Sequence, residues 1–290
     1  MLPRSWSRSW ARLWPGLWLG LIALGINPSH AYVTVLGSLD REWQVQAGDQ
    51  HHGQIEVHNP SARTVRMRAY LKDFDPRPDG LGFQPPPAHD RSNAAWITLM
   101  PAEQVIEAGA RAVVNFTIDV PSELQQEGSA WSIIMIEAVP HGHEAGQARQ
   151  VATDPAQVTM DIRHVLRTAV RVVTTSGGQL GLAFVERSLV ADADEQAMTL
   201  VLRNDGNRSL HLALHADLFD DRGQSVGRIV PRQSVTRLLP GAQVARRLHL
   251  PELPSGDYQA IVIADHRGAH LFGARYSFHL PSSEINQAVP

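Results

Sequence analysis

The 290-residue chain contains no cysteine. Disulfides, thiol nucleophiles and thiolate metal sites are thereby excluded. The fold has to be held by apolar cores. Lysine is almost missing too, since Lys72 is the only one and the remaining basic residues are arginines. The net charge is -3, so no bias towards nucleic acid or acidic partners follows. Beyond the first thirty residues there is no apolar run of the ~20 residues that a membrane span needs. The hydrophobic share is 43%, an ordinary value for a globular chain, and the length suggests about two domains.

Residues 1–31 read as an export signal. Arg4, Arg8 and Arg12 precede an apolar stretch from Leu13 to Ile26, and Ser29-His30-Ala31 supplies the small residues of a cleavage site. The mature chain is expected to begin near Tyr32, outside the cytoplasm and with no membrane span.

From Tyr32 onward strand signals dominate. Gln54 to His58 alternates and stops at Asn59-Pro60-Ser61. Val65, Met67, Ala69 and Leu71 alternate next, and Ala112 to Val120 does so again. Trp131 to Val139 is strongly apolar, as in a central strand. Asp73 to Asp90 is rich in Pro, Gly and Asp and reads as a loop. No segment between Tyr32 and Val173 carries a sustained helical period. After a hinge at Thr174 to Gly178 the scheme repeats. IEVHNPS at Ile55 matches LVLRNDG at Leu200, and RAYLKDFD at Arg68 resembles HADLFDD at His215. EAGARAVVNFTIDVP at Glu107 resembles LPGAQVARRLHLPEL at Leu239, and GSAWSIIMIEA at Gly128 resembles SGDYQAIVIAD at Ser255. The expectation is an all-β chain of two tandem immunoglobulin-like β-sandwich domains, 32–175 and 176–281, with a polar tail at 282–290.

Little in the sequence points to catalysis or to a cofactor. Gly223-Gln224-Ser225-Val226-Gly227 fits the G-x-S-x-G pattern. That motif needs a helix directly after it, and Arg228-Ile229-Val230-Pro231 cannot start one, so the stretch reads as a hairpin turn. His51, His52, His58, His141 and His143 are among fourteen histidines but lack the fixed spacing of a metal site. Asp73, Asp75 and Asp79-Gly80 do not match a calcium loop. Trp43, Trp96 and Trp131 are expected in sandwich cores, Trp131 on a face shared with Ile133 and Met135. No enzyme activity is expected.

One stretch stands apart. In QVTMDIRHVLRTAVRVV, residues 157–173, Val158, Met160 and Ile162 alternate with polar residues, and the later part becomes denser in valine. This is a strand that offers an apolar row to something else.

Several stretches together resemble the periplasmic pilus-assembly chaperones. LDREWQVQAG at Leu39 looks like that family's first strand, and IEVHNPS at Ile55 like its second strand with its Asn turn. VIEAGARAVVNFTI at Val105, GSAWSIIMIEAVP at Gly128 and VTMDIRHVLRTAVR at Val158 look like later strands of its first domain. The resemblance implies a chaperone that inserts its own strand into a pilin-like subunit, a mode known as strand addition. The partners implied are a pilin-like or surface protein subunit and an outer-membrane usher, with no nucleic acid and no cofactor. On this resemblance the inserted row falls on Val158, Met160 and Ile162. Burial of three such side chains supplies roughly 5–9 kcal/mol before ordering costs. The family's cation for the subunit's terminal carboxylate falls on Arg167, in a cleft between the domains. Its second cation falls at Trp43, and Arg41 is the nearest arginine able to replace it. The alternative is a two-domain immunoglobulin-like envelope module that binds another protein without donating a strand.

Overall fold

The architecture follows from where short apolar alternations stop. In the computed structural model, residues 32–77, 82–139, 166–191, 196–233 and 235–281 are described. Seventeen strands and one short 3-10 turn, Ala94–Trp96, make up the regular structure among them.

The first sandwich pairs two sheets. One runs in the order β1 (Thr34–Leu36), β3 (Gln50–His58), β7 (Arg111–Asp119), β5 (Ile97–Met100). The other runs β2 (Asp40–Gln44), β9 (Arg167–Ser176), β8 (Gly128–Val139), β4 (Val65–Lys72), β6 (Glu103–Ile106). Within it β2 and β9 are parallel, and the other pairs are antiparallel. Ile55, Val57, Met67, Phe116, Ile134, Ile136, Val170 and Val172 fill the space between the sheets. Each comes from an alternating position, as a two-faced sheet requires.

The second sandwich stacks β10 (Ala183–Ala191), β11 (Gln196–Arg203) and β15 (Gln243–His249) on a sheet ordered β13 (Ser225–Ile229), β12 (Leu210–Phe219), β16 (Gly256–His266), β17 (His270–Leu280). The short β14 (Val235–Leu238) also pairs with β12. Its core is a separate cluster that includes Leu200, Leu212, Leu218 and Val262. The all-β expectation of two tandem sandwiches therefore holds.

The internal repeat is structural as well as textual. Asn59 is fully buried and its amide donates to the carbonyls of Arg63, Ile106 and Glu107. Asn204, equally buried, donates to Arg208 and Leu238. Val65 faces Ile106 as Leu210 faces Leu238. Following these pairs corrects two of the sequence matches. Val65 corresponds to Leu210, which shifts the Arg68 match by two residues. Ala69 faces Ile136 as Leu214 faces Ala264, so Gly128 corresponds to Gly256 and that match shifts by one. Similarity of composition survives such slips, but the inward-facing row does not.

Trp43 and Trp96 pack against the first core, Trp43 edge-on to Phe116. Trp131 does not. Ile134, Ile136 and Ala138 are the residues of β8 that face inward, so Trp131, Ile133 and Met135 occupy its outer face. Both faces of β8 are buried, and alternation then carries no mark of which is the interior.

The remaining chemical motifs resolve into local structure. Asp220 accepts from the backbone N–H of Arg222 and Gln224, so Asp220 to Gln224 is a hairpin turn and Ser225 to Gly227 already belong to β13. Asp73 is buried and its carboxylate accepts from Ala88 N–H and Ser92 Oγ. Asp75 is paired with Arg77. His141, His143, Asp79 and Gly80 lie outside the described residues.

Candidate functional site

The candidate site is β9 and what borders it. Val158, Met160 and Ile162 lie outside the described residues, and β9 is their nearest described continuation. Val170 and Val172 to Thr175 are buried, with Arg171 half-buried between them, which fits the valine-rich half of the stretch. One edge is paired to β8 along its length, from Glu137 opposite Arg167 to Gly128 opposite Ser176. The other edge is held by β2 only from Arg171 to Thr175. The Arg171 N–H donates to the Leu39 carbonyl, so odd-numbered residues of β9 aim their backbone groups at β2. Arg167 and Ala169 share that aim and have no strand beside them among the described residues. Leu166, just before them, is 57% exposed.

Arg167 itself is fastened to Glu137, Nε to Oε2 at 3.1 Å. Tyr70 donates to the same carboxylate oxygen at 2.7 Å, and Arg68 approaches to 3.5 Å. Burial pushes the Glu137 carboxyl up, but the Tyr70 hydroxyl and the two guanidiniums outweigh it and hold it below the usual range. Arg167 remains half exposed.

The junction between the sandwiches is elsewhere. Gly128 abuts Asn207, whose carbonyl accepts from Ser129 N–H at 2.8 Å. Arg167 is opposite Glu137, roughly 30 Å further along β8 at ~3.3 Å per residue. Arg167 is therefore remote from the cleft at which the resemblance set it. The cation on β9 that does face the second sandwich is Arg171. Its Nη1 lies 3.6 Å from Asp40, and its guanidinium lies over the Phe74 ring.

Arg41 is not brought to Arg167 either. It shares Trp43's face of β2, and its guanidinium donates to the carbonyls of Gln54 at 2.6 Å and Ser38 at 3.4 Å. The opposite face of β2 carries Asp40 and Glu42. Arg237 of β14 pairs with both, at 2.8 Å and 3.4 Å. Arg267 also binds Glu42, and His211 lies 3.2 Å from it. Burial alone would raise Glu42, but His211, Arg237 and Arg267 bring its carboxyl down to about 2. Where the resemblance implies two cations waiting for a carboxylate, this cleft already holds carboxylates of its own.

An apolar contact completes the junction. Trp131, Val173 and Leu239 are buried together with Phe74 against them, and Trp131 Nε1 donates to the Phe74 carbonyl at 3.1 Å. His89 stacks on the Trp131 ring. The loop beginning at Asp73 thus lies at the junction, beside a cleft of about 480 Å³ lined by Asp75, Arg77, His89, Arg91, Trp131 and Gly241. The sequence reading missed Arg171; the signal that points to it is its spacing, four residues beyond Arg167 on the same face of the strand. Asp40 and Glu42 were legible as the opposite face of Arg41.

No protein-family model matches the chain, and no curated protein matches it by sequence. Solved structures of fimbrial chaperones resemble it. A chaperone–tip adhesin complex of CFA/I fimbriae biogenesis is 11% identical with a TM-score of 0.46, covering 85% of this chain and 98% of that one. The YadV chaperone is 11% identical with a TM-score of 0.42, covering 85% and 99%. The Salmonella enterica SafB chaperone complex with the SafA pilin is 17% identical with a TM-score of 0.41, covering 84% and 96%. At such identities and scores the likeness decides neither partner nor mechanism.

Proposed function

We propose that the chain is a periplasmic, non-enzymatic chaperone-like protein that captures pilin-like or surface-fibre subunits by donating a β-strand. On this reading residues 1–31 are an export signal, 32–175 the subunit-binding domain and 176–281 the second domain. An outer-membrane usher would receive the subunit. The observation that carries the reading is the half-held edge of β9. Its later residues are locked between β8 and β2, while the outward groups of Arg167 and Ala169 have no neighbouring strand among the described residues. That end is the one that leads back to Val158, Met160 and Ile162 in the sequence. An exposed edge with alternating apolar side chains is what strand addition uses.

A second reading is favoured by one observation, the pairing of Arg171 with Asp40. A cleft neutralised from within suits an immunoglobulin-like envelope module that binds a partner without donating a strand, or a donor that dispenses with the carboxylate anchor.

The test is the double variant Met160→Asp, Ile162→Asp, with client co-purification from the periplasm as the readout. Donation predicts loss of the co-purifying subunit with unchanged thermal unfolding. Loss of folding would mean that the row belongs to the protein's own core, and the proposal fails.

A further inference from the structure

The repeat exposes a difference between the two sandwiches. Ile136 faces Thr168 as Ala264 faces Phe272, so β17 corresponds to β9 and Arg275 corresponds to Arg171. In the first sandwich β2 runs parallel along β9, with Asp40 opposite Arg171 and Trp43 opposite Thr174. In the second, β17 is an edge strand with no neighbour beyond it among the described residues.

Among the described residues no strand pairs with the outer backbone of that edge. By the same correspondence, the outward groups of Arg275, Ser277 and His279 match those of Arg171, Val173 and Thr175, which β2 engages. Among the described residues one hydrogen bond reaches them. Arg187 of β10 donates to the Ser277 carbonyl at 3.2 Å, and its guanidinium rests 5.2 Å from the Tyr276 ring centre. Arg275 is exposed and makes no ion pair among the described residues. Phe272 and Tyr276 are only partly buried against the second core.

We infer that β17 is a docking edge for an acidic extended segment of a partner protein. The segment runs parallel to β17, sets a carboxylate against Arg275, and lays an apolar side chain three residues later over Phe278. That is the chemistry of Asp40 and Trp43 on β2, transposed to the second sandwich. A second copy of this chain is a poor occupant. HLFGARYSFHL carries an arginine and two histidines but no carboxylate, so pairing β17 with itself sets cations together. Arg187 covers the edge in the absence of the segment and is displaced by it.

The probe is a fluorescein-labelled peptide of residues 38–46, SLDREWQVQ, titrated into the full mature chain with anisotropy as the readout. Saturable binding is expected. It should weaken about tenfold or more, a loss of ~1.4 kcal/mol, in Arg275→Glu, and also when Asp40 and Glu42 of the peptide become Asn and Gln. Ser277→Pro should also block binding, because it removes an outward N–H while sparing the ladder to β16. Thermal unfolding checks that each variant folds, and the exposed Arg275→Glu carries the test if the proline variant does not. Absence of saturable binding overturns the inference. So does equal binding by Arg275→Glu, which would mean that the peptide has exchanged with β2 in the first sandwich. A concentration-dependent dimer abolished by Ser277→Pro would assign the edge to a second copy and overturn the acidic partner.

Discussion

Glu42 and Arg237 belong to different sandwiches and meet across 3.4 Å, both side chains nearly removed from solvent. Arg267 joins the pair from the same side as Arg237, and Asp40 answers Arg237 from the same strand as Glu42. The junction is thus ionic at β2, apolar at Trp131 and backbone-to-backbone at Gly128. Each part responds to a different substitution.

The ionic part is tested by Glu42→Gln. Removing the carboxylate leaves Arg237 buried with less compensation, and a cost of ~1–3 kcal/mol is expected in urea unfolding at pH 7. The pH dependence has a definite sign. The folded carboxyl sits at about 2 against an ordinary 4.5, so its contribution is complete above pH 4.5. It is lost as pH falls from there towards 2. The gap between wild type and variant should therefore close over that window. A constant gap from pH 7 to pH 2.5 would assign the effect to packing.

The backbone part is tested by Gly128→Ala. A Cβ there falls 2.0 Å from the Asn207 carbonyl oxygen, and φ is 103°. A loss above ~3 kcal/mol is expected, because backbone on both sides must move. Gly109→Ala is the control, with φ of 67° but nothing within reach of its Cβ. It should cost ~1–2 kcal/mol, from the left-handed conformation alone.

Asn59→Ala and Asn204→Ala remove the same device from two separate cores. Each leaves buried carbonyls without a donor, at ~2–3 kcal/mol. The sites share no partner, so the double variant should be additive to within ~0.5 kcal/mol in chemical denaturation if the chain unfolds in one step. Two separate transitions, each shifted by one substitution, would show that the sandwiches unfold independently.

Arg167→Ala should leave thermal stability essentially unchanged, since the side chain is half exposed and its ion pair is screened by solvent. A thermal melt checks this. If Arg167 nevertheless contributes to client capture, co-purification falls while the melt stays put. If both hold, its partnership with Glu137 is local only.

Much of the fold was legible because most strands have one wet face. β3, β4, β7 and β16 alternate and were readable for that reason. β10 was not, since a register shift between Phe184 and Glu186 breaks its period and most of the strand is exposed. β14 is too short to show a period. β8 was readable as a strand but not as an orientation, and this misplaced Trp131. At the site, the resemblance points to Arg41 and Arg167 as the cations. What sequence could not supply was the neutralisation of the cleft, which depends on Arg237, His211 and Arg267 arriving from the other sandwich. Contacts between residues so far apart leave no periodic trace.

β9 also has a mechanical meaning. It is stitched to β8 from Arg167 to Ser176 and to β2 from Arg171 to Thr175. Tension applied along the strand from its Arg167 end loads those hydrogen bonds side by side, in shear, instead of peeling them one at a time. The Arg167–Glu137 fastening stands first in the line of force. Whatever grips the preceding segment pulls on a lap joint, and the sandwich can hold a load that a hairpin of the same length would release.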